Sequence, residues 1–174
     1  GYCLTKDPLF AEASAKQILG KKFYFPLSSK AVEVNQKMTF DVMSEIKDKF
    51  KKRVINKRVL LIGVSYREDT NDTRYSPAEG VFDFFKKIRC KVQFYDPVVN
   101  FWEDANGYSI KKKYLNNFDV YVHLTKHQFF KKLNVPYKKN SLIFDLNHTL
   151  NMKKRLKIIK NKNYESYFIG SKQI

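Results

Sequence analysis

The chain has 174 residues, 43% hydrophobic and 16% aromatic, with 34 Lys and Arg against 17 Asp and Glu and a formal charge of +17. That is enough apolar material for a packed core with an appendage, while runs such as Val59 to Val64 are too short to cross a bilayer, and no basic-then-apolar leader opens the chain. Two cysteines imply no disulfide framework and fit reduced thiols in a cytoplasmic setting, and no metal is expected. Lysines are spread from Lys6 to Lys172 among acids and aromatics, so specific nucleic-acid recognition is not expected, although Lys111 to Lys113 and Lys153-Lys154-Arg155 could hold polyanions non-specifically.

The first element opens beside a thiol. Cys3-Leu4-Thr5-Lys6 precedes Asp7-Pro8, in which Asp7 suits an N-cap and proline suits a first helical position; Leu9, Phe10, Ala11, Ala13, Ala15 and Ile18 then run helically toward a Gly20 stop. Cys3 thus lies upstream of a positive helix end and near the Lys6 ammonium, and both favour the thiolate that a nucleophile requires. The same residues also read as a plain cap and a small buried side chain. After an aromatic connection from Lys21 to Leu27, Ser28 or Ser29 can cap a long helix in which Val34, Met38, Val42, Ile46 and Phe50 repeat at i+4. The organisation divides near Arg53 to Lys57, giving residues 1–56 and 57–174.

From Arg58 onward strand and helix signals alternate. Val59 to Ile62 is a buried-strand run, Ser76-Pro77-Ala78-Glu79 a capping box, and Val81, Phe84, Phe85 and Ile88 one face of the helix behind it. Cys90 falls in the turn before the next strand, Val92 to Tyr95, and reads as structural. An irregular loop runs from Pro97 to Gly107. Asp119 to Leu124 is a third strand, Thr125 to Gln128 a second capping box, Leu142 to Asp145 a fourth strand, and Tyr167 to Ile169 a segment that can close the sheet. The alternation predicts an α/β fold with a doubly wound parallel sheet and ligands at its carboxyl ends.

The first strand-to-helix connection carries the chemistry. Gly63 stands alone there, without the G-x-G-x-x-G turn that presses a backbone against a pyrophosphate, so a complete NAD site is not expected in this chain. The loop offers instead Tyr66, able to stack on a base, and Arg67 and Arg74, suited to bidentate phosphate contacts, although the residues alone favour surface ion pairs with Glu68, Asp69 or Asp72.

Three stretches resemble the UDP-glucose/GDP-mannose dehydrogenase family. Gly1, Tyr2, Cys3, Lys6 and Asp7 are similar to its cysteine motif; Gly63 to Pro77 resembles its stretch with Phe-Lys, Thr-x-Asp-x-Arg and Ser-Pro; Tyr95-Asp96-Pro97 follows in order. The resemblance runs to about Gly170 and implies a Rossmann-like UDP-sugar-binding domain at 57–174, preceded at 1–56 by part of a central helical segment. Because the chain opens inside the first motif, it implies a carboxy-terminal fragment, inactive alone, whose NAD is held mainly by a preceding domain. It further implies a homodimer through the long helix. The activity implied is a two-stage NAD-dependent oxidation of a UDP-sugar primary alcohol, of UDP-glucose or a UDP-N-acetylhexosamine, to the uronic acid. Cys3 would be the nucleophile, with Asp7 on a water and Lys6 supporting the local field. Tyr2, Leu4, Tyr66 and Arg67 would bind substrate, and Arg74 would reach the cofactor phosphates. Arg67 replaces the family's usual lysine, and Asn147, in Asp145-Leu146-Asn147-His148, stands where many members carry an arginine on the nucleotide sugar. The other readings are a silent nucleotide-sugar-binding or dimerisation fragment and a basic polyanion-binding module.

Overall fold

The computed structural model describes residues 2–170, with no account of the Tyr2 and Leu4 side chains; Gly1 of the cysteine motif lies outside the described residues. Two short 3-10 turns, Tyr2–Thr5 and Asp7–Leu9, lead into α1 (Phe10–Leu19), which stops at Gly20 in the left-handed conformation, φ 62°. The helix start differs from the expectation. Asp7 is no cap: its carboxylate is taken by the Lys6 ammonium at 2.7 Å, and Leu9 precedes α1 without a side-chain cap. Likewise α2 (Pro26–Phe50) begins before either predicted serine, and the Ser29 hydroxyl donates instead to Glu12 of α1 at 2.8 Å.

A 3-10 turn at Lys51–Val54 leads to the sheet. Its strands are β1 (Arg58–Ile62), β2 (Lys91–Tyr95), β5 (Val120–His123), β6 (Ser141–Asp145) and β7 (Tyr164–Phe168), all parallel in the order β2-β1-β5-β6-β7. Between β2 and β5 a small antiparallel hairpin, β3 (Phe101–Trp102) with β4 (Gly107–Tyr108), occupies the end of the expected irregular loop. Trp102 is fully buried there, edge-on to Phe82 and Phe94.

Because alternate strand residues face opposite sides, the sheet carries two cores. Val59, Leu61, Val122 and Phe144 pack on Met43, Ile46 and Phe50 of α2 and on Val81 and Phe85 of α3 (Pro77–Lys87). Leu60, Ile62, Tyr121 and Ile143 pack on Phe130 of α4 (Gln128–Lys132) and Ile158 of α5 (Met152–Lys160). Each such side chain, fully buried, contributes about 1.5–3 kcal/mol. Helices on both faces and a reversal of strand order between β1 and β5 make the sheet doubly wound, with its switch point at the carboxyl ends of those two strands.

The long-helix stripe is realised only in part. Ile46 and Phe50 are buried and Val42 packs against the core, but Val34 and Met38 are more than half exposed while Val32 and Met43 are buried. The Ser76 cap forms, its hydroxyl accepting from Ala78 N–H at 3.2 Å, but Ser76 N–H goes to the Thr73 carbonyl, so Glu79 does not close a box. Thr125 caps nothing: its hydroxyl donates to the Ser65 carbonyl at 2.6 Å and α4 starts after His127.

Candidate functional site

Strand β1 ends at a tight crossing. Gly63 has φ +80°, and a Cβ there would lie 2.6 Å from the Thr125 carbonyl oxygen, so a side chain is excluded by both torsion and contact. The loop that follows is closed on itself by Tyr66 N–H donating to the Asp72 carbonyl at 2.8 Å. Half-buried Tyr66 lines a cavity of about 210 Å³ together with Met38 and Val42 of α2, Pro77 of α3, Thr125 and Asn147. This hollow lies where β1, β5 and β6 end, mostly apolar with a few polar groups, which is the make-up of a small-ligand site. A second cavity of about 230 Å³ lies on the other face, and its polar groups largely satisfy one another: His123 Nε2 and the Tyr137 hydroxyl are 2.8 Å apart, and the Lys154 ammonium donates to the Phe130, Lys131 and Leu133 carbonyls. None of the predicted site residues lines it.

The turns that carry Cys3 and Asp7 pack on α2, whose Met38 and Val42 line the same cavity. Cys3 is exposed, its carbonyl accepting from Lys6 N–H at 3.2 Å. The Lys6 hydrogen bond holds the Asp7 carboxyl below its usual range, and Cys3 adds to that effect. Lys6 is raised in turn by its bond to Asp7, with the fields of Asp7, Cys3 and Tyr75 adding to it. Cys3 and Asp7 are thus held on the helix that also walls the Tyr66 cavity.

The two arginines differ. Arg74 is folded onto Asp72, its Nε and Nη2 donating to the two carboxylate oxygens at 2.9 and 2.8 Å, and this holds the Asp72 carboxyl down at about 2. Arg67 is exposed and lends its positive field to Asp72. The Lys153-Lys154-Arg155 run is not a free basic face: Arg155 is buried with Nε and Nη2 on Asp145 at 3.1 and 2.8 Å, and Lys154 is engaged as described. Asp145 also accepts from Thr149 and Leu150 N–H, so it shapes the turn that carries Asn147 into the Tyr66 cavity.

A buried cluster beneath the loop was not singled out in the sequence. Asp96, of the Tyr95-Asp96-Pro97 stretch, accepts from Val64, Val98 and Val99 N–H at 2.8 to 3.0 Å and sits 3.1 Å from His127 Nε2. Burial alone would push its carboxyl up, but the His127 hydrogen bond and the amides outweigh that and hold it low. The available signal was the pairing of that Asp with a histidine following β5. Among the described residues, no group of three or more His, Cys, Asp or Glu could hold a metal ion, and no helix is long and apolar enough to cross a membrane.

The model of the UDP-glucose/GDP-mannose dehydrogenase family, UDP binding domain, matches residues 60–152. The chain belongs to that family. The matched UDP binding domain runs from within β1 to the start of α5 and so includes the Tyr66 loop, the cavity and Asn147, whereas the cysteine turn precedes it. Among curated members, UDP-N-acetyl-D-mannosamine dehydrogenases from Methanococcus aeolicus and Methanococcus vannielii are 30% and 32% identical over 87% and 91% of this chain. The chain spans 34% and 38% of their lengths. The fold is shared with NDP-N-acetyl-D-galactosaminuronic acid dehydrogenase from Methanosarcina mazei, at 22% identity and TM-score 0.77 over 99% of this chain and 38% of that one. UDP-D-ManNAc dehydrogenase from Pyrococcus horikoshii matches at 23% identity and TM-score 0.71, over 98% of this chain and 38% of that one.

Proposed function

We propose that this chain is the nucleotide-sugar-holding part of a cytoplasmic, NAD-dependent UDP-sugar 6-dehydrogenase, and that its substrate is UDP-N-acetylmannosamine rather than UDP-glucose. The observation that carries the reading is that α2 both supports the Cys3 turn and, through Met38 and Val42, walls the cavity lined by Tyr66. The preference for an N-acetylhexosamine follows the activity named for the Methanococcus relatives. In this proposal residues 57–174 hold the nucleotide, residues 1–56 carry the cysteine turn, and the α2 face with Val34 and Met38 pairs two copies.

Tyr66 stacks on the uracil, and Arg67, whose guanidinium is exposed at the loop, forms charge-assisted hydrogen bonds to the diphosphate. Tyr2 and Leu4 are assigned to the sugar by the family resemblance of the cysteine motif alone. The β1–α3 turn does not fit a dinucleotide, since Gly63 stands there without the G-x-G-x-x-G glycines that let a backbone approach a pyrophosphate. NAD, the hydride acceptor assigned to both oxidations, is therefore held outside this sheet, with Arg74 exchanging Asp72 for its phosphates. Once the primary alcohol has become an aldehyde, the Cys3 thiolate adds to its carbon and a C–S bond forms. After the second oxidation leaves a thioester, Asp7 accepts a proton from the attacking water, the C–S bond breaks, and carboxylate and thiolate separate. The Lys6 ammonium supports the negative charge on sulfur and on Asp7.

In the full-length protein, Cys3→Ser should abolish carboxylate production from UDP-N-acetylmannosamine while leaving UDP affinity unchanged, because a hydroxyl is a far poorer nucleophile than a thiolate. Carboxylate formed at the wild-type rate overturns the role of Cys3. Arg67→Ala should weaken UDP binding by about 1.5–3 kcal/mol in a calorimetric titration, whereas neutralising Lys111, Lys112 and Lys113 together should change it little. Equal losses from both variants would replace the pocket with diffuse electrostatics.

A further inference from the structure

We infer that His127 is a positioning residue that fixes the Tyr66–Arg67 loop through both of its ring nitrogens. This goes beyond the contacts proposed above and rests on that reading of Tyr66 and Arg67 as substrate-binding residues. His127 is fully buried, and its Nδ1 accepts from the Asp69 backbone N–H at 2.9 Å. An accepting Nδ1 carries no proton, so the ring proton is on Nε2. That nitrogen lies 3.1 Å from both Asp96 Oδ2 and the Ser65 hydroxyl. The carboxylate takes the proton and fixes the ring plane, and Ser65 Oγ shares it as a second acceptor.

Ser65 Oγ in turn donates to the Arg67 carbonyl at 2.8 Å, and Thr70 Oγ1 donates to the same carbonyl at 3.3 Å. One arm of the imidazole therefore runs through Ser65 to the backbone of Arg67. The other holds Asp69, which sits at φ 55°, a left-handed conformation that Asp adopts more readily than most residues with a side chain. Asp69 keeps it because its amide is bound to His127 and its carboxylate accepts from Gln128 N–H at 3.0 Å. The loop is thus tied to the start of α4 on one side and, through Asp96, to the end of β2 on the other. Tyr66 and Arg67 project from a segment held below at fixed points, and this pre-organises their contacts with a nucleotide diphosphate.

The two arms can be cut separately. The Asn side chain is too short to reach Asp96 and Ser65 but can place an oxygen near Nδ1; Gln can place an amide N–H near Nε2. In the full-length protein, His127→Asn should raise the Kd for UDP about tenfold, the loss expected when one charge-assisted contact is misplaced, and His127→Gln should restore most of that affinity. Ser65→Ala should act like His127→Asn, and the double variant should be no weaker than either. In an Arg67→Ala background, His127→Asn should cost much less than in the wild type. An equal loss in that background, or no rescue by Gln, overturns the inference, because damage that is merely structural would weaken binding whether or not Arg67 were present. Amide hydrogen exchange over residues 65–72 without ligand separates this from the functional reading. Faster exchange in His127→Asn supports the positioning role even if the wild type binds no UDP, and unchanged exchange overturns it even if UDP binds well.

Discussion

The sheet and the amino-terminal helices solve opposite problems with the same kinds of residue. In β1, β5 and β6 nearly every side chain is buried, down to Ser141 and Asp145. Across α1, the connection after it and α2 as far as Phe40, many large apolar residues face outward: Ile18 is 77% exposed, Tyr24 74%, Leu27 86% and Phe40 63%. The sheet has therefore used its apolar surface within the chain, and the helical region has kept its own available. The same sort of side chain has stability as its consequence in one region and, under the proposed pairing of two copies, association in the other.

Substitution tests that contrast most directly. Phe144→Ala removes a fully buried ring packed on Phe50 and Tyr167 and should cost about 3–5 kcal/mol in denaturant unfolding, whereas Phe40→Ala should stay within about 0.5 kcal/mol. Comparable losses at the two sites would erase the distinction. The second test uses pH. Burial pushes His123 down to about 4, while an unfolded histidine titrates near 6.5, so between those values the unfolded chain binds more protons than the folded one. Stability is fully present above pH 6.5 and falls as pH drops toward 4, by up to about 3 kcal/mol from this group. His123→Gln should flatten the dependence of the urea midpoint on pH in that window; an unaltered slope would place its origin in another group. The smallest effect on folding is expected from Val34→Glu with Met38→Glu, within about 0.5 kcal/mol, yet this pair should weaken self-association of the full-length protein in sedimentation. A monomeric wild type would sever the link between exposed stripe and dimer.

The sheet was legible because Val59 to Ile62 and Leu142 to Asp145 are short unbroken runs next to turn signals, and burial on both faces produces that pattern. Helix α5 was hidden because its sequence, Met152 to Lys160, reads as a charge run; only the structure shows Arg155 turned inward onto Asp145 beside Ile158. Misread caps share one cause: Asp7, Ser29 and Thr125 each found a tertiary or neighbouring partner more favourable than a helix end. Within the candidate site, Tyr66 and the Cys3 turn were visible as local motifs. His127 was not, since its role depends on Ser65, Asp69 and Asp96 arriving from two other segments.

The state of Cys90 carries a practical consequence. Its thiol donates to the Val54 carbonyl at 3.0 Å and accepts from Lys57 N–H at 3.4 Å, and burial pushes it above the usual thiol range. A thiol so enclosed is closed to alkylating reagents until the turn before β2 opens, whereas Cys3 faces solvent. The chain therefore contains two chemically distinct probes without any engineered substitution. Under the role proposed for Cys3, its modification should be slowed by a bound UDP-sugar, and the much slower modification of Cys90 reports how often the turn before β2 opens.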